Sequence, residues 1–458
     1  MKRFLLAPLI IAAVLFVLLA SACTSQGRSK TRAITLQGVV KIYGSEPHTA
    51  VGIETVPDKK VYGVSPPKKA AELRKMQGRL LEFKVIIEDT GSLEFENTVT
   101  VLSWRIINPN AEETLKRKIA QMLLLGFRGT ELTAGSSIYK DVAELGIGGV
   151  LLFDYDVPTR SRPRNITSRE QLSRLVSDLQ CAAPVKLFVA IDQEGGRVNR
   201  LRGEYGFPPN ISAKEMAANT ELTRSQAEQT AALLAEMGIN LNFAPCVDLD
   251  LNPQNPAIGI YGRSFSADPA IVSEHAAIWI NAHRQQGIIS CIKHFPGHGS
   301  SSGDTHDGWV DVSGLWQEAE LIPYRRLASS RDASALLMVM TSHVFNSALD
   351  PHNPATLSPA MLTGILRGGL QFDGVIVSDD MDMDAIRANY SFGEALEKAI
   401  NAGVDLLCLS NNGSHYDPAL AQKALTAIYS LVLEGKVSSE RIEESWNRIM
   451  ALKRDAIL

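Results

Sequence analysis

Ile288-Ile289-Ser290-Cys291-Ile292, running into Lys293-His294-Phe295-Pro296-Gly297-His298-Gly299, is the stretch on which the reading of the fold turns. Its first part is an apolar, β-branched run suited to a strand. Its second part cannot be helical, because Pro296, Gly297 and Gly299 break any helix there. Asp304-Thr305-His306 follows closely. A strand that discharges into a loop of Lys, His and Asp is how an α/β enzyme builds a site.

The same texture recurs outward in both directions. Apolar runs at 122–127, 147–153, 186–191, 240–244, 335–340, 374–377 and 404–409 join 288–292 as strand candidates. Amphipathic segments such as 221–237 and 269–286 separate nearly all of them. Near-continuous apolar strands are those of a parallel sheet covered on both faces. Eight βα units across residues 109–458 therefore predict a (β/α)8 TIM barrel. An open doubly wound sheet is the alternative, weakened because no G-x-G-x-x-G follows a first strand.

A barrel puts its chemistry at the C-terminal ends of its strands. Just past the predicted strands stand Asp192-Gln193-Glu194-Gly195-Gly196-Arg197, Pro245-Cys246-Val247-Asp248, Lys293-His294, Ser342-His343, Ser378-Asp379-Asp380 and Ser410-Asn411-Asn412. Scattered polarity would not track strand ends in this way, so one shared site is expected.

Two groups suit glycoside hydrolysis with retention, which needs a carboxylate nucleophile and a second group that gives and later takes a proton. Asp379, directly after the strand at 374–377, suits the first role. Asp380 would point elsewhere, and Asp382 and Asp384 belong to the following loop or helix start. His306, with Asp304 two residues before it, suits the second role. A carboxylate at that spacing can hold the imidazole in one tautomer and stabilise its cation. Histidine titrates near neutrality and can act as acid and then base. Gly303 and Gly308 permit that loop to move.

Other chemistries fit less well. His294 and His298 have zincin spacing, but Phe295-Pro296-Gly297 forbids the helix that zincins need. A loop-borne metal site from His294, His298 and His306 is disfavoured, and no metal or organic cofactor is implied. Gly297-His298-Gly299-Ser300 lacks the Gly-Lys-Ser/Thr of a phosphate loop.

The 458 residues carry a formal net charge of -4, with no basic excess to suggest nucleic acid. At the N-terminus, Lys2 and Arg3 precede an apolar run that ends in Ser21-Ala22-Cys23, the pattern of a secretory signal over residues 1–22. Its removal takes the charge two units lower, to -6. Cys23 resembles the lipidated cysteine of bacterial lipoproteins, although Ala20 stands where Leu is commonest. Thr24 is not the aspartate that retains lipoproteins at the inner membrane. A membrane anchor through Cys23, in the outer membrane facing the periplasm, is the expectation. Cys181, Cys246, Cys291 and Cys408 contain no C-x-x-C and read as free thiols, three of them in or beside apolar runs, with a disulfide of unassigned pairing in an oxidising periplasm as the alternative.

Residues 23–33 form a polar tether, and residues 34–108 a small β-rich domain. Alternating strands are predicted at 34–42, 50–56 and 60–64, then a helix from Pro67 through Gln77, then strands at 79–88 and 98–107. Gly44-Ser45-Glu46-Pro47, Pro57-Asp58 and Asp89-Thr90-Gly91 read as turns. This is an element order an OB-like fold can show.

Several of these motifs together resemble glycoside hydrolase family 3, and within it the bacterial β-N-acetylglucosaminidases (β-hexosaminidases) of peptidoglycan turnover. They are Lys293-His294-Phe295-Pro296-Gly297-His298-Gly299 with Asp304-x-His306, Asp192-Gln193-Glu194-Gly195-Gly196-Arg197, Arg263-Ser264-Phe265 and Ser378-Asp379-Asp380-Met381. The resemblance implies Asp379 as nucleophile, His306 as acid/base with Asp304 as its partner, and Asp192, Arg200, Arg263, Lys293 and His294 as the first-subsite sugar ligands. The β-glucosidase branch usually takes its acid/base from a Glu in a further C-terminal domain. This chain reaches Leu458 just after the last barrel helix, which with the D-x-H favours the N-acetylglucosaminidase branch. Commoner members have Ser between the Asp and His, and Leu-Pro where this chain has Trp309-Val310, so the loop shape and leaving-group preference can differ.

The expected function is retaining exo-hydrolysis of terminal β-linked N-acetylglucosamine from peptidoglycan fragments or chitooligosaccharides. The alternatives are a phosphorylase of the same family, another β-glycoside specificity, and a glycan-binding lipoprotein without turnover.

Overall fold

The computed structural model describes residues 33–45, 48–56, 58–88, 95–106, 109–329 and 336–457. The signal segment 1–22, Cys23, the tether up to residue 32 and the turn at Asp89-Thr90-Gly91 lie outside them. The chain divides into two units, one up to residue 108 and one from Pro109 onward.

In the first unit, β1 (Ile34–Ser45), β2 (His48–Thr55), β3 (Val61–Ser65), β4 (Leu80–Glu88) and β5 (Thr98–Ile106) close a barrel in the order β1-β2-β3-β5-β4. Only β3 and β5 pair in parallel. Alternate residues point inward, as the period of a strand dictates: Val51 and Ile53, Leu81, Phe83 and Val85, Val99 and Val101. Between β3 and β4 the helix Pro67–Arg74 adds Leu73 to that core. This five-stranded barrel is the OB-like arrangement expected. Two details differ. The helix ends at Arg74 rather than Gln77. Gly44 and Ser45 belong to the β1–β2 ladder, not to a turn, because Ser45 pairs with His48.

The second unit is an eight-stranded parallel sheet: β6 (Leu123–Gly126), β7 (Gly149–Leu152), β8 (Phe188–Ile191), β9 (Leu241–Asn242), β10 (Ile289–Phe295), β11 (Leu337–Thr341), β12 (Val375–Val377) and β13 (Leu407–Leu409). The strands lie in the order β12-β11-β10-β9-β8-β7-β6-β13, and every residue in them is buried. The ends meet through one parallel bridge, Val377 to Leu406, with the Ser378 N–H on the Leu406 carbonyl at 3.0 Å. Buried Asp405 braces this seam. It accepts from the Ile376 N–H at 3.0 Å, from Ser445 Oγ at 2.9 Å and from Arg441 Nη2 at 3.1 Å, and Arg367 also donates to it. The predicted (β/α)8 barrel is therefore present and nearly closed.

Most strands are shorter than their apolar runs, since ladder pairing stops where the chain peels off into the loops above. β10 is the exception and corrects the sequence reading. It continues past Ile292 to Phe295, with a shift of register against β11 between Ile292 and Phe295. In a regular strand, Lys293 and His294 would face opposite ways. The irregularity re-aims the strand, as bulges next to active sites do, and both side chains line the same cavity.

Candidate active site

That cavity opens at the C-terminal end of the barrel. All eight residues expected in the site line it: Asp192, Arg200, Arg263, Lys293, His294, Asp304, His306 and Asp379. They come from β8 and its loop, the turn before the helix Pro269–Gln285, β10 and its loop, and the end of β12.

Its floor is a buried lattice of opposite charges. Lys293 Nζ lies 2.7 Å from both Asp192 Oδ1 and Glu194 Oε1. Arg263 forks onto Glu194, with Nε at 2.9 Å and Nη2 at 2.8 Å, and also donates to the Ala257 carbonyl. Arg200 approaches Asp192 at 3.6 Å. Burial alone would raise the Glu194 carboxyl, but Arg263 and Lys293 hold it down at about 2. Asp192 is likewise lowered, its burial outweighed by Lys293 and Arg200. Burial disfavours the Lys293 ammonium, and the two carboxylates more than offset that, raising it above its usual value. Asp192, Glu194 and Lys293 therefore stay ionised across the neutral range, and the floor is a fixed set of donors and acceptors. Glu194 stood in a quoted motif without a role, yet it ties Lys293 to Arg263.

His294 is aimed by Asp248, a residue the sequence reading noted only as polar past its strand. Asp248 Oδ2 accepts from His294 Nδ1 at 2.7 Å, and Oδ1 accepts from the His298 N–H at 2.7 Å. His294 Nε2 is left toward Arg263 Nη2 at 3.3 Å. Cys246 Sγ sits 3.3 Å from the same carboxylate. Among the described residues, Cys246, Asp248 and His294 are the one group of three potential metal ligands drawn together. Their atoms are engaged with one another and with backbone N–H groups. The His294–His298–His306 site is not assembled, because His298 faces Ser301 and Thr305 instead.

The loop that carries Asp304 and His306 is anchored from beneath. Gly299 passes so close to the backbone that a Cβ there would lie 1.8 Å from the Leu249 carbonyl oxygen, and one on Gly297 (φ 129) would meet Glu320. Glu320 accepts from the Gly299 N–H at 3.2 Å and from Ser300 Oγ at 2.7 Å. Burial raises its carboxyl to about 7. His298 Nδ1 lies 2.9 Å from Ser301 Oγ, and its Nε2 3.5 Å from Thr305 Oγ1. Burial lowers the His298 imidazole to about 4, so it is neutral in this role.

At the loop's tip, Asp304 Oδ1 accepts from His306 Nδ1 at 2.7 Å and from the His306 N–H at 2.9 Å. This fixes the tautomer and leaves Nε2 free. Desolvation opposes the imidazolium, but the Asp304 hydrogen bond and charge, with Asp379 adding, raise His306 above its ordinary value. Asp379 is tied by its own N–H to Thr341 Oγ1 at 3.2 Å, and its Oδ1 accepts from the Asp380 N–H at 2.8 Å. Burial would raise its carboxyl, yet the surrounding His343, His294 and His306 bring it down. Buried His343 steadies this turn, with Nε2 on the Asp380 carbonyl and Nδ1 on Thr356 Oγ1. Asp380 turns away to Ser410, as expected.

Comparison with known proteins shows the family. The glycosyl hydrolase family 3 N-terminal domain matches residues 114–452. The chain belongs to glycosyl hydrolase family 3. It is 33% identical over 349 residues to the β-hexosaminidase of Tolumonas auensis, covering 73% of this chain and 99% of that one. With the β-hexosaminidase of Stenotrophomonas maltophilia it shares 35% over 318 residues, 67% of this chain and 87% of that one. Among solved structures, a family 3 β-N-acetylglucosaminidase from Paenibacillus sp. superposes with a TM-score of 0.66 at 34% identity, over 75% of this chain and 62% of that longer one. The β-N-acetylhexosaminidase of Beutenbergia cavernae gives 0.65 at 27%, over 74% and 98%. This family 3 glycoside hydrolase acts on carbohydrate, and its cavity has the donors and acceptors for one.

The thiols are free among the described residues, with Cys246, Cys291 and Cys408 buried and Cys181 exposed.

Proposed function

We propose that this enzyme is a retaining exo-β-N-acetylglucosaminidase that removes terminal β-linked N-acetylglucosamine from peptidoglycan fragments or chitooligosaccharides. The observation that carries the reading is that Asp379 and the Asp304–His306 pair line one cavity floored by the Asp192/Glu194/Lys293/Arg263 lattice. In the first step Asp379 attacks the anomeric carbon while His306 Nε2–H protonates the departing glycosidic oxygen. In the second step neutral Nε2 takes a proton from water, whose oxygen displaces Asp379 from the sugar. Asp304 holds the ring throughout and stabilises the imidazolium between transfers.

Hydrolysis of an aryl β-N-acetylglucosaminide against the matching β-glucoside tests this, with wild type beside Asp379→Ala. N-acetyl preference, lost in the variant, is the expected result. A glucoside preference overturns the substrate, and activity surviving in the variant overturns the nucleophile.

The anchor belongs to the same proposal. Lys2, Arg3, the apolar run after them and Ser21-Ala22 before Cys23 support a lipidated Cys23 that holds the enzyme in the outer membrane facing the periplasm. Detergent-phase partition of the full chain, lost in Cys23→Ser, is expected. An unchanged partition contradicts it.

A further inference from the structure

His306 stands at the exposed tip of its loop, and among the described residues its side chain bonds only to Asp304. Asp304 rides the same tip, so the pair sets the tautomer without fixing where the ring stands. The limb that climbs to the tip is held at its base by Glu320 and His298. The limb that descends from it is held by a different part of the barrel.

That part is the loop after β11. Asp311 pairs with Phe345 in a parallel bridge. The Val312 N–H donates to the Phe345 carbonyl at 2.8 Å, and the Phe345 N–H donates to the Val310 carbonyl at 2.8 Å. Val310, Val312 and Val344 form a small buried cluster with Trp316 packed against it. Trp316 Nε1 in turn donates to the Pro296 carbonyl at 3.1 Å. On the edge of this patch nearest the tip, the Trp309 ring lies on Phe345, with centroids 5.0 Å apart and planes tilted by 38°. Trp309 is three residues beyond His306, so the chain between them spans at most about 10 Å. Gly308 (φ 140) turns the chain between the two. Trp309-Val310 is also where the chain departs from commoner family members.

The same β11 loop reaches the other half of the site. Thr341 Oγ1 accepts the Asp379 N–H at 3.2 Å, and His343 Nε2 lies 2.9 Å from the Asp380 carbonyl oxygen. Residues 341–345 therefore hold the turn that carries Asp379 at one end and the loop that carries His306 at the other.

We infer that Trp309 and Phe345 form a clasp that sets the position of His306 relative to Asp379 through the β11 loop. Both are positioning residues, and the inference rests on the reading of His306 as the acid/base. The clasp acts on proton transfer alone, because Asp379 keeps its own ties to Thr341 and Asp380 when the rings part.

A series of aryl β-N-acetylglucosaminides, from 2,4-dinitrophenyl to unsubstituted phenyl, tests it through kcat/KM. The leaving groups are similar in size and differ in how much they need a proton. Trp309→Ala is expected to lose about ten- to a hundredfold on the phenyl glycoside, the scale of a misplaced catalytic group, and about twofold or less on the dinitrophenyl one. Trp309→Phe, which keeps a ring on Phe345, should stay near wild type on both. Phe345→Leu should steepen the series as Trp309→Ala does, and the double variant should cost no more than the larger single loss, because the two rings act as one unit. Each comparison across the series is made within one protein sample, so a partly folded variant does not distort it. Equal losses on all members, no loss on any, or additive losses in the double variant overturn the clasp. His306→Ala in the same series separates the two layers. If it steepens the series while Trp309→Ala does not, the clasp falls and the acid/base stands, and if it does not, the acid/base reading falls with the clasp.

Discussion

The floor of the cavity and the loop above it solve opposite problems. The Glu194 side chain is 5% exposed and that of Lys293 3%, and each is fixed by two charged partners that belong to other βα units. His306, in contrast, has a 69% exposed side chain, and its side-chain hydrogen bond runs to a residue two positions away. A binding floor must stay ionised and still, so it is built on barrel strands and saturated with counter-charges. In the role proposed for it, His306 must change protonation twice per turnover, which suits an exposed position with one partner to set its tautomer. Rigidity reaches the loop indirectly, through His298 and Glu320 at its base.

The variants that probe this contrast fall in order of expected effect. Asp379→Ala, at the junction of floor and loop, should lower kcat by about 10⁴-fold or more, as loss of a nucleophile does. Steady-state rates on an aryl β-N-acetylglucosaminide measure it, and a loss under a hundredfold would remove Asp379 from the covalent role. His306→Ala should cost about 10³-fold in kcat/KM on a poor leaving group and far less in kcat/KM on an activated aryl one, which needs no protonation. Equal losses on both would mean that His306 does not transfer the proton.

Glu194→Gln addresses the floor. Breaking a buried charge cluster should lower stability by about 3 kcal/mol, seen as a lower urea midpoint. The sign with pH follows from the carboxyl being held at about 2, below its ordinary 4.5. Its stabilisation is present above the ordinary value and lost as pH falls toward 2. Wild type should therefore lose stability across that window more steeply than the variant, and parallel curves would contradict the lattice. Asp304→Asn is the mildest. Because Asp304 raises His306, the alkaline limb of kcat/KM should move to lower pH, with a loss of roughly ten- to a hundredfold. A limb that stays in place would uncouple the pair.

Much of this is legible in the sequence. Apolar runs at regular spacing announce barrel strands, and polar residues at their ends announce the mouth, because both signals are local. Partner choice is not local. Nothing near Asp248 says that it will orient His294, nor near Glu320 that it will hold Gly299 and Ser300, since each pairing is made by the barrel bringing distant strand ends together. The irregularity in β10 was hidden for a related reason. A period-2 reading ends the strand where the apolar run ends, whereas pairing with β11 carries it on to Phe295. The Asp304–His306 pair was legible because its members are two residues apart.

Intact-mass analysis of His306→Ala mixed with an activated aryl β-N-acetylglucosaminide tests the central claim most directly. That variant can form the glycosyl-enzyme but lacks the base to hydrolyse it. A protein heavier by one N-acetylhexosaminyl residue, mapped by peptide digestion to Asp379, is the predicted result. A sugar on any other residue, or turnover with no covalent species at all, would contradict it.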